Sequence, residues 1–166
     1  MAPRRAVLSD AQAIAEVQIA TSRAAYRSII GQSQLATLDV RERTNVWSDL
    51  IANERDCVLV VDAARGILGY AHARCSAIDD GHGEIASVYV VPRHWRNGIG
   101  SALLGAAESW LTSRGFKHAR LWLLEDNGRA RAFYEARGYA LDAEAKRATA
   151  SAPQICYCKF LQHDDA

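Results

Sequence analysis

The sequence predicts one mixed α/β (α+β) domain over residues 1–166, a β-sheet layered with helices in the order β-α-α-β-β-β-α-β-α-β-β. Three observations carry that expectation. Short apolar runs rich in β-branched residues, such as "CVLVV" and "EIASVYVV", have the length and composition of buried strands. Other stretches place apolar residues at i, i+4, i+5 and i+8, the period of a helix that covers a core. Gly115 in "SRGF" and Gly138 in "ARGY" follow two such stretches, where a helix C-terminus favours a left-handed residue.

The elements follow in order. "RRAVLSDAQAIAEVQIATSRAAYRSI" reads as a short strand ending at Leu8, then Ser9 or Asp10 as N-cap of a helix with Ile14, Val17 and Ile19 or Ala20 inward. A second helix is expected over residues 35–53, where Trp47, Leu50 and Ile51 recur at helical spacing. "CVLVVDAARGILGYAHAR" is a hairpin signal, with strands at 57–61 and 67–74. "CSAIDDGHG" is a loop, and residues 84–91 form a strand closed by Pro92, which cannot donate to a ladder. Ile99, Leu103, Leu104, Ala107 and Leu111 make one helical stripe. A strand at 118–125, a helix in "NGRARAFYEARGY", and strands at 139–147 and 155–161 complete the chain.

Composition narrows the function. At 166 residues and 49% hydrophobic the chain can bury one core. A net charge of +1 with interspersed signs gives no field for nucleic acid or a membrane surface, so any anion site must be local. The N-terminus lacks a signal peptide's apolar run and no stretch approaches membrane-spanning length, so a cytoplasmic location is expected. Cys57, Cys75, Cys156 and Cys158 lack CxxC spacing, and His72, His82, His118 and His163 lack ligand spacing. No metal is expected, and the cysteines read as buried reduced thiols.

The stretch "VVPRHWRNGIGSALL", residues 90–104, is the candidate anion site. Gly98 and Gly100 lack a Cβ where the helical stripe begins, and a helix start offers unpaired N–H donors and about half a positive charge. Arg93, His94 and Arg96 surround it, so a pyrophosphate suits the turn. Leu103 stands where a dinucleotide fingerprint needs a third small residue, and the Gly-Lys-Ser/Thr ending of a P-loop is absent. A plain strand-to-helix turn is the alternative reading.

"EIASVYVVPRHWRNGIGSALL" together with "LLEDNGRARAFYEARGY" resembles the two signature segments of the GNAT superfamily of acetyl-CoA-dependent N-acetyltransferases, over roughly residues 84–139. The resemblance implies a GNAT-like fold, a central, mostly antiparallel twisted sheet with helices on both faces. It implies that acetyl-CoA is co-substrate, its pyrophosphate on the backbone of Arg96, Asn97, Gly98, Ile99, Gly100 and Ser101. The pantetheine arm would run along Val88, Tyr89 and Val90 and touch Asn127. Tyr134 would approach the sulfur as general acid. Glu84 matches a position where some members carry the general base; a solvated strand-end carboxylate is the equal alternative. Asn127 also reads as a helix N-cap, and Tyr134 as core beside Phe133. Arg129 and Arg131 could reach the phosphates, but read more simply as a solvated face with Glu135. Trp95 departs from the family pattern, which has Arg or Gln there.

The implied reaction is direct transfer of an acetyl group to a primary amine, with a small-molecule amine as acceptor. Tyr26, Arg27, Asp79 and Asp80 fall in segments that frame the acceptor cleft of this fold. No nucleic-acid or membrane partner is expected, and a homodimer is the assembly left open. The alternatives are a non-catalytic acyl-CoA-binding regulatory module and a protein N-terminal or lysine acetyltransferase.

Overall fold

A computed structural model describes residues 1–75, 81–149 and 152–161. A short β1 (Arg4–Arg5) leads through a single 3-10 turn into helix α1 (Ala11–Ala25), then α2 (Gln32–Ala36) and α3 (Val40–Ala52). The antiparallel strands β2 (Asp56–Ala63), β3 (Gly66–Cys75) and β4 (His82–Val90) follow. Helix α4 (Ile99–Ser113), β5 (His118–Leu124), helix α5 (Gly128–Glu135), β6 (Ala140–Arg147) and β7 (Gln154–Phe160) complete the order. Among the described residues the strands form one open seven-stranded sheet, β1-β2-β3-β4-β5-β7-β6, in which only β4 and β5 run parallel.

Period-two alternation sends the two faces of β2 to different helices. Cys57, Leu59 and Val61 join the core under α4, while Val58 and Val60 pack with Ile14, Val17 and Trp47 of α1 and α3. Helices therefore cover both faces. All five stripe residues of α4 are buried, Ile99, Leu103, Leu104 and Leu111 each contributing about 1.5–3 kcal/mol of transfer energy and Ala107 less. The helix stops where expected, with Gly115 at φ 87°.

Two expectations need correction. The first strand does not reach Leu8: it spans Arg4–Arg5, and Leu8–Asp10 is the 3-10 turn, because the Asp10 carboxylate is taken by Arg4 and the Val7 N–H instead of capping a longer helix. The helix expected over 35–53 is two helices. Asp39 adopts an extended conformation and its side chain accepts from the Glu42 N–H at 2.8 Å, so a cap stands inside the expected span. The observed order gains one short helix.

The feature that positions the site is the short β4–β5 ladder. Only His82, Glu84 and the Gly83 between them pair with His118, Arg120 and Ala119. Beyond Glu84, β4 keeps its β3 partner alone. The β3–β4 register jumps from Ala73↔Ile85 to His72↔Ser87, leaving Ala86 as a bulge, which adds local twist just where the two parallel strands part.

Candidate functional site

The open edge of β4 ends at Val88, Tyr89 and Val90, whose side chains alternate between the two layers. The Tyr89 phenol lies 2.9 Å from that of Tyr26, at the C-terminal end of α1. Tyr134 enters from the opposite face, where α5 packs on the α4 core. Its ring lies edge-on to Phe133 and Tyr139, at centroid distances of 5.0 and 5.5 Å. Burial, and then the nearby Tyr89 hydroxyl, push the Tyr134 phenol above its ordinary range. It is a protonated donor at neutral pH.

The turn after β4 is built from conformations that few side chains tolerate. Arg96 has φ 64° and Gly98 φ 78°, both left-handed, and α4 begins at the next residue, Ile99. Gly100 has a different reason to be small. A Cβ there would sit 3.3 Å from the Phe133 ring, so this glycine sets the approach of α5 to α4. Trp95 anchors the turn: its indole N–H donates to the Val90 carbonyl at 2.6 Å, and the Arg129 guanidinium lies 3.9 Å above its ring. Arg129, though exposed, is therefore drawn to the turn.

A model of the acetyltransferase (GNAT) family matches residues 24–139. The chain belongs to this family. It is an N-acetyltransferase of the acetyl-CoA-dependent class that its two motifs resemble. Residues of this chain are 27% identical over 126 positions to the N-acetyltransferase YuaI of Bacillus subtilis, whose function is uncharacterised, covering 75% of this chain and 72% of that one. The fold is similar to the PaiA N-acetyltransferase of Thermoplasma acidophilum, solved in complex with coenzyme A, with TM-score 0.81, 20% identity and coverage of 95% and 97%. It is also similar to YncA of Salmonella typhimurium, solved with acetyl-CoA, with TM-score 0.73, 20% identity and coverage of 100% and 96%.

In this GNAT enzyme the remaining expected residues divide clearly. Asn127 caps α5, its side chain accepting from the Ala130 N–H at 3.2 Å. Glu84 is held by Arg74, whose Nη2 and Nε donate to its two carboxylate oxygens at 2.9 and 3.1 Å. Arg27 lines a hollow of about 290 Å³ between α1 and α2, with Arg23, Gln32, Leu35 and Ala36. Asp79 and Asp80 lie outside the described residues. Arg131, half-exposed, donates to the Tyr157 hydroxyl at 3.2 Å, and that hydroxyl donates to Glu135 at 2.6 Å, so the two charged residues share one face through Tyr157.

Sequence reasoning missed Arg137. Its guanidinium donates to the Ser101 hydroxyl and, at 2.8 Å, to the Phe133 carbonyl, and it lies over the Phe133 ring. With Ser101, Leu104, Gly105, Glu108 and Lys159 it lines a second hollow of about 250 Å³ beside the start of α4. Its place one residue before Gly138, the glycine that ends the α5 segment, was the available signal. The two motif glycines should separate in urea denaturation without ligand. Gly98→Ala should cost about 1–2 kcal/mol for a left-handed alanine. Gly100→Ala, in ordinary helical conformation, should cost less, because only the Phe133 ring has to move.

Proposed function

We propose that the enzyme moves the acetyl group of acetyl-CoA directly to a primary amine of a small molecule within a ternary complex. The observation that carries this reading is the β4 edge left without a β5 partner beyond Glu84, with the α4 turn at its far end and Tyr134 reaching it from α5. An extended chain such as a pantetheine arm can pair with a free strand edge as an added strand would. The similarity to a CoA-bound PaiA fold supports the same placement.

Each chemical need then has a group. The amine nitrogen attacks the thioester carbonyl carbon; the N–C bond forms as the C–S bond breaks. A backbone N–H within Val88–Val90 stabilises the oxygen that gains charge. The Tyr134 hydroxyl gives its proton to the departing sulfur, a role suited to a phenol held protonated. Glu84 takes the amine proton through a water, Arg74 fixing its carboxylate. The pyrophosphate rests on the backbone of Arg96 to Ser101, with Asn127 ordering the start of α5 beside the arm. Arg129 on Trp95 and Arg137 on Ser101 supply the positive charge that Trp95 cannot. Acceptor selection falls to Tyr26 and to the hollow at Arg23 and Arg27, which favours amines that also carry an anionic group.

Thiol release across a panel of small amines and peptide N-termini tests the reaction. Turnover on small amines is expected, and turnover confined to peptides would overturn the acceptor class. Tyr134→Phe should lower kcat by about 10²-fold or more, leaving the acetyl-CoA KM within about threefold. Arg129→Ala should raise the acetyl-CoA Kd about tenfold, the worth of one charge-assisted contact, while Arg131→Ala should leave it unchanged. Equal effects of the two arginine variants would contradict the role given to the Trp95 stack.

A further inference from the structure

The terminal hairpin carries a cluster that the acetyl-transfer site does not use. Ile155 and Tyr157 of β7 face the core under α4, so Cys156 and Cys158 face the other side of the sheet. Asp142 of β6 pairs directly with Cys156 in the antiparallel register. The two sulfurs lie 3.9 Å apart, and one carboxylate oxygen of Asp142 and both sulfurs all lie within 4.8 Å of one another. Among the described residues this is the group of three that could hold a metal ion.

The geometry points to a divalent-cation site of the zinc class made by Asp142, Cys156 and Cys158. Two thiolates bound at about 2.3 Å in a tetrahedral site stand about 3.8 Å apart, close to the observed separation. Two soft sulfurs with one carboxylate suit zinc or cadmium better than calcium or magnesium. A bond between the two cysteines fits less well. Residues two apart on a strand have Cα atoms about 6.7 Å apart, at the far edge of disulfide geometry.

Local structure prepares the carboxylate. The β6–β7 register jumps from Asp142↔Cys156 to Lys146↔Ile155, so Ala143, Glu144 and Ala145 bulge out. The Glu144 N–H donates to Asp142 Oδ1 at 3.1 Å, orienting the group beside the sulfurs. Arg120 pairs with Cys158 across β5 and β7 and places a positive charge near the site, offsetting the negative charge left by two thiolates, one carboxylate and a divalent ion. Cys156 is fully buried while Asp142 and Cys158 are part-exposed, so water reaches the fourth position from the open side. Binding releases both thiol protons and ties β6 to β7 across the bulge.

The test uses the full chain, reduced and stripped with a chelator, then titrated with Cd²⁺ while the thiolate-to-cadmium ultraviolet band is followed, with Zn²⁺ as competitor. The band should saturate at one Cd²⁺ per chain, be displaced by Zn²⁺, and vanish in the Cys156→Ser/Cys158→Ser double variant. Asp142→Asn, a mild change at a part-exposed position, should keep the band and weaken Cd²⁺ binding at least tenfold. A band that never saturates, or that survives in the double variant, overturns the site. So does an Asp142→Asn variant that binds as tightly as the parent.

Discussion

The pairing between β4 and β5 stops after three residue pairs, and the remaining architecture of the site depends on that stop. Parallel strands with both faces covered ordinarily continue their ladder, because unpaired buried backbone groups are costly. Here a bulge at Ala86 of β4 lies just where the ladder stops. On the proposed reading, the gap gives an extended thioester-bearing arm a strand edge to pair with. It also brings phenols from opposite faces near each other, Tyr26 and Tyr89 from one and Tyr134 from the other.

The turn at the end of β4 solves a local problem in an unusual way. A residue with a polar side chain would offer its own contact to a phosphate. Trp95 instead uses its indole N–H to close the turn on Val90 and its ring as a platform for Arg129. On the proposed reading the charge for the pyrophosphate comes from Arg129 of α5, so turn and helix must be in register for that site to be complete. Gly100 enforces that register by admitting the Phe133 ring, and Arg137 locks it through Ser101. The start of α4 and the whole of α5 act as one unit.

Much of this was legible in the sequence, and the reasons are specific. The α4 stripe was readable because five buried positions share one helical period, and both glycine stops because a left-handed residue must follow a helix end. Asp39 hid the break between α2 and α3, since its cap acts through a side chain that periodicity ignores. The glycine motif located the turn but not the second demand for a small residue at Gly100, whose neighbour Phe133 lies more than thirty residues later in the chain. The Trp95–Arg129 stack, the Arg74–Glu84 pair and the Asp142–Cys156 pairing all depend on register between separate elements, which composition and spacing do not encode.

Amide hydrogen exchange along β4, with and without saturating acetyl-CoA, tests most directly whether the open strand edge receives the thioester arm. Slowed exchange within residues 88–90 and in the turn at 96–101, with β2 and β3 unchanged, is the result the account predicts. Unchanged exchange at 88–90 in protein shown to be saturated would contradict it, because the arm would then lie elsewhere.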